Sequence, residues 1–327
     1  MILLHKFSCL VWQGALLAQD LPGWILAPLV VTLARRQRFS IGLLHATLFA
    51  NPTRMNITQG EKALRFEKLH QRQGAFLIPN PWDAGSARIL SGLGFEALAT
   101  SSGAAAATFG RRDGKLTRDE ALASARAIVH ATDLPVSADL ENGFGDAPEF
   151  VADTVRQAAE AGLIGCSIED FSGDKDHPIY DMQFAAERIA AAASVARSFP
   201  FPFTLTARAE NFVRGKPDLA ETIKRLQAYE KAGAAVLFAP ALPDLAAVRA
   251  VCSAVSKPVN FMVAIRGKSF SVPELVDAGV KRISFASSLY RAAMTALVDA
   301  ATEVKKSGTF NYLDKAITSP ELYQYLP

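Results

Sequence analysis

The chain has little cysteine and no hydrophobic run long enough to cross a membrane. Its three cysteines, Cys9, Cys166 and Cys252, show no paired spacing and no CxxC motif, which argues against a disulfide framework and a zinc site. The apolar run WILAPLVVTLA contains a proline, and its eleven residues are fewer than the roughly 20 that a membrane-spanning helix needs. We therefore expect a cytoplasmic protein without a membrane partner.

The chain also lacks a strong excess of charge of either sign. It has 35 Lys and Arg residues against 32 Asp and Glu residues. Residues 1–54 hold five of the basic residues and one acid, which leaves 30 basic and 31 acidic residues for the rest. Because the mild basicity is confined to residues 1–54, no nucleic-acid partner is expected for the main body.

Residues 1–54 differ in texture from the rest, since the apolar run is followed by RRQR. We interpret them as an N-terminal extension, with Met55 at the start of the catalytic domain. A secretory signal and an organelle presequence are the alternatives. The predicted organisation is an extension over 1–54, then a barrel domain with a C-terminal helical tail over 55–327.

From residue 74 onward, short apolar runs alternate with amphipathic segments, which is the pattern of parallel βα units. The runs predict eight strands, at 74–79, 96–102, 135–141, 165–170, 203–210, 234–240, 258–263 and 282–288. Eight strands and eight helices indicate a (β/α)8 TIM barrel, for which about 250 residues is the usual size. A doubly wound open sheet is the alternative.

Polar side chains gather at the carboxyl ends of these runs. They are Ser101, Ser102, Asp139, Glu141, Glu169, Asp170, Arg208, Glu210 and Asn260. In a barrel these ends converge on one mouth, whereas strands at opposite edges of an open sheet lie too far apart to share one ligand. The distribution therefore favours the barrel and predicts a ligand site at its mouth.

Three carboxylates are predicted to meet there. Asp139 and Glu141 are two positions apart, so strand alternation points them to the same side, and Glu169 ends the next run. Three carboxylates repel one another unless a cation lies among them, and an all-oxygen set suits Mg²⁺ or Mn²⁺. The alternative is that these acids cap helices or pair with Arg208.

Two further features are suited to an anionic substrate. Arg208 presents a planar guanidinium group that can bind a carboxylate or phosphoryl oxygen, or form a structural ion pair with a neighbouring acid. Ser102, Gly103 and Ala104 allow close approach of the backbone and offer N–H groups to an anion, although small residues also serve tight packing. Asp113 follows them, where it is placed to reach the water shell of a metal or to begin the next helix.

Four motifs, NPWDAGSARILSGLGFEALATSSG, DLENGFG, GLIGCSIED and ARAEN, together resemble the isocitrate lyase / phosphoenolpyruvate mutase superfamily over residues 60–300. DLENGFG matches the D-x-[DE]-x-G-[YF]-G metal motif of that family without a gap. The resemblance implies a Mg²⁺-dependent enzyme that makes or breaks a C–C or P–C bond next to the carbonyl of a 2-oxo acid, through an enolate-like intermediate. We expect a homo-oligomer, a dimer or tetramer, acting on an oxaloacetate-, phosphonopyruvate- or 2-methylisocitrate-like acid.

The resemblance also implies roles for the matching residues. Asp139, Glu141 and Glu169 would hold the metal, directly or through waters. The three small residues at 102–104 would anchor the substrate carboxylate, Asp113 would lie in the outer shell, and Arg208 would stabilise the oxyanion. We add Glu210 and His177 as catalytic candidates and Asn260 as a substrate-binding candidate.

The chain departs from the family in two places. Isocitrate and methylisocitrate lyases carry Lys-Lys-Cys-Gly-His in the loop after strand four, where this chain reads FSGDKDHPIYD, and FAPAL replaces the histidine that mutases have after strand six. Decarboxylation, hydrolysis and retro-aldol cleavage therefore stay open. Lys175 and His177 are candidate acids or bases, or solvated residues, and we expect residues 171–181 to form a mobile lid.

Two other functions compete with this interpretation. A Schiff-base aldolase needs a lysine on strand six, but Lys231 precedes that strand and Lys257 precedes strand seven. A catalytically silent barrel that binds an acid, or serves only as an oligomer, is the other alternative, because a fold does not imply a function.

Overall fold

Eight parallel strands form the centre of the protein in a computed structural model, which describes residues 57–326. They are β1 (Phe76–Ile78), β2 (Leu98–Ala99), β3 (Val136–Asp139), β4 (Gly165–Glu169), β5 (Thr204–Arg208), β6 (Val236–Phe238), β7 (Val259–Met262) and β8 (Arg282–Ser284). Each lies inside one of the eight predicted runs. The predicted extension over residues 1–54 lies outside the described residues.

The sheet order β1-β8-β7-β6-β5-β4-β3-β2 is that of a barrel. Between β1 and β2 the Ala99 N–H donates to the Pro79 carbonyl at 3.1 Å, so that the barrel is nearly closed. The predicted (β/α)8 TIM barrel is confirmed, and the open-sheet alternative is wrong.

Helices connect the strands and cover the outside of the barrel. They are α1 (Gln59–Gln71), α2 (Ala84–Gly92), α3 (Ser102–Thr108), α4 (Arg118–Ala131), α5 (Pro148–Glu160), α6 (Met182–Ser198), α7 (Leu219–Ala232), α8 (Leu245–Ala254), α9 (Val272–Asp277), α10 (Ser288–Ser307) and α11 (Ser319–Tyr323), with a 3₁₀ helix at Asn311–Asp314. Thr117 and Glu120 form a capping box that starts α4. Gly233, with φ of +106°, ends α7 in the left-handed conformation that glycine favours.

Strand alternation separates an apolar outside from a polar inside. On β5, Leu205 and Ala207 belong to the main core between strands and helices, while Thr206 and Arg208 alternate with them. Arg208 lines the barrel cavity. The core therefore lies in the layer between sheet and helices, and the interior of the barrel is left for polar side chains.

Helix α1 lies across the amino ends of the strands. Gln59 Nε2 donates to the carbonyls of Ala159 and Leu163, just before β4. Phe66 packs in a separate apolar cluster that includes Phe76, the first residue of β1. The carboxyl ends of the strands are thus left as the face that a ligand can approach.

In the part of the chain that the structure describes, no helix combines the length and the apolar character that a bilayer crossing requires.

Candidate active site

The carboxyl ends of three adjacent strands bring Asp139, Glu169 and Arg208 together. Each is the last residue of its strand, on β3, β4 and β5, and Glu169 is the register partner of Arg208. Arg208 Nη1 lies 3.3 Å from Glu169 Oε2 and 3.9 Å from Asp139 Oδ2. The ion pair between Arg208 and Glu169, one of the two roles considered for this arginine, is therefore formed.

A second arginine completes this network. Glu210 is fully buried, and its two carboxylate oxygens accept hydrogen bonds from Arg208 Nε and, at 2.9 Å, from Arg214 Nε. Arg214 Nη2 also lies 3.4 Å from Glu169 Oε1. Glu210, a catalytic candidate from sequence, lies here as a buried counter-charge that positions two guanidinium groups. Sequence reasoning missed Arg214, and its position four residues after Glu210 was the available signal.

The loop after β3 holds Glu141 in an uncommon backbone conformation. The strand ends at Asp139, so the argument from strand alternation was wrong for Glu141. Glu141 and Phe144 have left-handed φ values of +50° and +64°, on either side of Gly143 at +85°. This conformation costs energy in residues other than glycine, so surrounding contacts must hold it in place.

Arg188 of α6 supplies those contacts, and sequence reasoning also missed it. The side chain is 1% exposed. Its guanidinium group donates to four backbone carbonyls, those of Asn142, Gly145, Asp146 and Glu169, and the last of these ends β4. One arginine thus fixes the loop that carries Glu141 relative to the strand that carries Glu169.

The predicted anion-binding segment lies beside Asp139. The backbone N–H and the hydroxyl of Ser102, at the start of α3, donate to Asp139 Oδ2 at 3.1 and 2.9 Å. The N–H of Ala104 donates to the side chain that caps α3, at 3.4 Å. Gly103 lies against Asp113, since an added Cβ would be 3.3 Å from Asp113 Oδ2. The backbone N–H groups of Ser102 and Ala104 therefore already donate hydrogen bonds within the protein.

Asn260 lies inside the barrel, below the rim that the carboxyl ends of the strands form. It is buried on β7, where its amide donates to Ser284 Oγ at 3.0 Å and its oxygen accepts from Arg282 Nε at 2.9 Å. Asn260 lines a cavity of about 50 Å³ together with Asp139 and Arg208. The structure therefore places this substrate-binding candidate in one cavity with two of the rim residues.

The loop after β4 is anchored at its base. Phe171 pairs with Ile179 in an antiparallel bridge, and the Phe171 ring lies 3.5 Å from the guanidinium carbon of Arg214. The tip, residues 173–177, is exposed, whereas residues 171, 172 and 178–180 at the base are partly buried. Lys175 and His177 lie on this tip, and the hydrogen bonds shown for His177 are made by its backbone within the loop. The catalytic role of His177 stays a prediction.

Negative charge exceeds positive charge in this cluster. Five carboxylates accompany the two guanidinium groups of Arg208 and Arg214, namely those of Asp113, Asp139, Glu141, Glu169 and Glu210. Burial, and then the charges of Asp139 and Asp113, raise the pKa of Glu141 to about 7. Burial also raises the pKa of Glu169, and Arg208 opposes this effect only in part. A further cation beside these carboxylates would stabilise their charged forms and lower their pKa values.

The donor set fits a divalent cation. Carboxylate oxygens are the ligands that Mg²⁺ and Mn²⁺ prefer, and Mg²⁺ keeps several waters, so that few direct protein ligands are needed. Among residues 57–326, no three His, Cys, Asp or Glu side chains form a ready group that could hold a metal ion. Asp139, Glu141 and Glu169 thus stay the predicted ligands. The reasons are the excess of carboxylates over guanidinium groups in this cluster and the preference of Mg²⁺ for oxygen ligands.

An eight-stranded barrel with acids and an arginine at the carboxyl ends of its strands defines a TIM-barrel enzyme, with its site where that fold places active sites. The model of the phosphoenolpyruvate phosphomutase family matches residues 66–305. The chain belongs to this family, which confirms the resemblance predicted from its four motifs.

Three similar proteins agree with this assignment. A solved structure from Burkholderia cenocepacia J2315, described in general terms as a lyase/mutase, is 50% identical with a TM-score of 0.80, over 82% of this chain and 96% of that one. The 2-methylisocitrate lyase of Escherichia coli K12 is 32% identical over 253 residues, 74% of this chain and 84% of that enzyme. The solved 2,3-dimethylmalate lyase is 26% identical with a TM-score of 0.73, over 81% of this chain and 94% of that one. The chain is therefore an enzyme of the lyase and mutase class, as predicted.

Proposed function

We propose that this protein is a Mg²⁺-dependent enzyme that makes or breaks a C–C or P–C bond next to the carbonyl group of a small 2-oxo acid or related carboxylate. The observation that carries the proposal is the excess of carboxylates over guanidinium groups around Arg208 at the carboxyl rim of the barrel, with Glu169 and Glu210 buried among them. Cleavage at that position leaves an electron pair that the carbonyl oxygen takes up as an enolate. A site for this reaction needs positive charge fixed beside that oxygen.

Each rim residue has a role in this proposal. Mg²⁺, when bound by Asp139, Glu141 and Glu169, would supply a Lewis acid that stabilises the developing negative charge. Arg208 lines the cavity and is held by acids on either side, so that it can donate a hydrogen bond to the oxyanion without reorienting. Although burial lowers the pKa of Arg208, its three acidic neighbours raise it above the usual value and keep the group charged.

The substrate carboxylate is assigned to the segment Ser102–Ala104, with Asp113 in the outer shell. The rim hydroxyl and N–H of Ser102 already bind Asp139, so this segment also orients a metal ligand. The loop after β4 contains no cysteine, and Lys175 and His177 are the proton donors that we assign to it. We further propose that the enzyme is cytoplasmic and homo-oligomeric.

A Schiff-base mechanism is disfavoured by the barrel interior. Strand β6, Val236–Phe238, has no lysine, and the residues that line the cavity in the described part of the chain include none. A barrel that only binds an acid is the remaining alternative. It predicts ligand binding without turnover.

The proposal is tested with a panel of 2-oxo acids, phosphonopyruvate and 2-hydroxy diacids, incubated with Mg²⁺ or with EDTA and followed for loss of the acid and for its products, which include pyruvate, other carboxylates, phosphate and the enol phosphate isomer. We expect at least one acid to be converted with Mg²⁺ and none with EDTA. Conversion of phosphonopyruvate would assign the P–C branch, and conversion of a hydroxy diacid the C–C branch. Binding of several acids without any product would favour the silent barrel.

The matched variants are Asp139→Asn and Glu169→Gln, which remove charge but keep shape. Both should lower turnover by about 10²-fold or more, because the charge stabilisation at the reacting centre is lost. Their thermal stability should be unchanged or higher, since carboxylate repulsion is relieved. Asp153→Asn, in an exposed ion pair with Arg156, is the control that should keep wild-type activity. Full activity of Asp139→Asn in EDTA would contradict the metal role.

A further inference from the structure

The barrel interior contains a buried cation that the proposed chemistry does not use. Arg282 is the first residue of β8 and is 6% exposed. Its Nε atom donates to Asn260 Oδ1 at 2.9 Å and its Nη2 atom donates to Thr206 Oγ1 at 3.0 Å. Both acceptors are neutral groups, so neither balances the charge of the guanidinium group.

No acid compensates Arg282 within residues 57–326. The structure shows no ion pair for it there, its Nη1 atom is buried without a hydrogen-bond partner, and its pKa is lowered to about 9 by burial, with no acid opposing the effect. Asp139 is the one acid that lines the same cavity among these residues, and its oxygens already accept from Ser102 and lie near Arg208. A buried charge without a partner is costly, and such a group calls for an ion or solvent beside it.

Arg282 lines a cavity with suitable walls. The cavity of about 50 Å³ offers room for about three or four water molecules, which is enough for one small anion. Ser137, Ser167 and Ser284 also line it, and their hydroxyl groups can donate hydrogen bonds to an anion. As donors, those of Ser167 and Ser284 make only long contacts inside the protein, to Asp139 Oδ1 at 3.4 Å and to the Phe261 carbonyl at 3.5 Å. The walls therefore combine one uncompensated positive charge with neutral donors.

We infer that this cavity is a binding site for a compact monovalent anion, of halide or formate size, with Arg282 as its counter-charge. Water alone would satisfy Nη1 but would leave the charge unbalanced. Burial and the charge of Arg282 lower the pKa of His70 to about 3, so this histidine is neutral and adds no charge of either sign. Arg282 itself has no role in the proposed reaction, although Asp139, Arg208 and Asn260 line the same cavity. The tests below measure anion binding without substrate or turnover, so either proposal can fail alone.

The first test is a crystal of the full chain soaked in sodium bromide, with diffraction data recorded at the bromine absorption edge. We expect an anomalous peak in the cavity within hydrogen-bond distance of Arg282 Nη1. A cavity that holds only water in a crystal soaked in bromide and also in a crystal soaked in sodium formate would overturn the inference. This experiment uses the wild-type chain, so it does not depend on the folding of any variant.

The second test measures the melting temperature in sodium bromide, sodium formate and sodium gluconate at equal ionic strength. An anion at about five times its Kd should raise the Tm by about 2 °C for a domain of this size, whereas bulky gluconate should not. A rise with bromide alone assigns a halide, and a rise with formate alone assigns a small carboxylate. Equal Tm values in all three salts would overturn the inference.

Matched variants test whether the anion-dependent rise in Tm comes from binding at Arg282. Arg282→Met should abolish the anion-dependent rise, and Arg282→Lys, which keeps the charge, should retain part of it. Arg249→Met, which removes an exposed arginine on α8, should behave as the wild type. An anion-dependent rise of the same size in Arg282→Met would show that the anion binds elsewhere and would reject this site.

Discussion

Buried ionisable side chains in this barrel keep or lose their charge according to the groups within reach of them. Glu210 is fully buried, but two guanidinium groups replace the water that its carboxylate loses. His70 is 7% exposed, and its Nδ1 atom lies 2.9 Å from the Phe66 carbonyl. Since a carbonyl only accepts, Nδ1 carries the proton of a neutral imidazole. His70 therefore packs as an aromatic core residue.

The burial of His70 predicts a loss of stability in acid. Burial, and then the charge of Arg282, lower the pKa of His70 to about 3 in the folded protein, from 6.5. Between these values the unfolded chain binds a proton that the folded chain excludes. The free energy of unfolding should therefore fall as pH drops below 6.5, by up to about 1.4 kcal/mol per pH unit from this residue.

Urea unfolding of wild type and His70→Leu between pH 4.5 and 7.5 checks this prediction. The variant should lose less stability than the wild type as the pH falls, because it has no proton to exclude. His130→Leu removes an exposed histidine on α4 and should keep the wild-type slope. Parallel profiles for wild type and His70→Leu would show that His70 does not titrate in this way.

At the scale of elements, the sequence predicts strands better than the loops between them. The strand β3 lies within its predicted run because buried parallel strands have a continuous apolar signal. Glu141 was placed on that strand, yet it follows the strand in a left-handed turn. The turn depends on Arg188, which lies 47 positions away in the chain, and no local pattern predicts such a contact. Asp139, Glu169 and Arg208 were predictable because each ends a strand.

The contacts of Arg188 predict that it positions the loop after β3. Lysine has one charged centre and cannot reach four carbonyls, so Arg188→Lys should lower the free energy of unfolding by about 2–4 kcal/mol. Amide hydrogen exchange at residues 141–146 should speed up, and turnover should fall. Arg197→Lys, at an exposed position of the same helix, is the control. Unchanged exchange at residues 141–146 would contradict this role.

The loop after β4 is predicted to close over bound substrate by moving its tip alone. Its base is held by the bridge between Phe171 and Ile179, whereas residues 173–177 are exposed. Closure would exclude water from an enolate. Trypsin cleavage at Lys175 should therefore slow when Mg²⁺ and oxalate are added together, while cleavage at exposed Lys315 should not change.

His177 supplies a second measurement for the same loop. If its imidazole takes part in proton transfer, His177→Ala should lower turnover more than it weakens oxalate binding. Equal cleavage at Lys175 with and without saturating oxalate would count against closure. Wild-type turnover of His177→Ala would remove this residue from the chemistry and leave the carboxylate cluster as assigned.

At the scale of the whole molecule, the C-terminal segment exposes large apolar side chains that the rest of the described chain does not cover. Helix α10 is 20 residues long and contains no buried residue. Leu297 and Val298 on it are 59% and 61% exposed, and Leu313 and Ile317 beyond it are 59% and 56% exposed. Large exposed apolar patches on soluble proteins mark interaction sites. This surface agrees with the proposed homo-oligomer and indicates where subunits would meet.

We predict that the segment from α10 to α11 forms the contact between copies of this chain. Light scattering at micromolar concentration should give a multiple of the 35.1 kDa chain mass, because a stable interface buries about 1,200–2,000 Å² and excludes this apolar surface from water. Leu297→Glu and Leu313→Glu should shift the mass towards that of one chain, since each places a charge in the contact. Leu93→Glu is the control, because Leu93 is 57% exposed but lies after α2, outside this segment. A wild-type mass of one chain at that concentration, or an equal loss of mass in Leu93→Glu, would show that the apolar C-terminal surface serves some other contact.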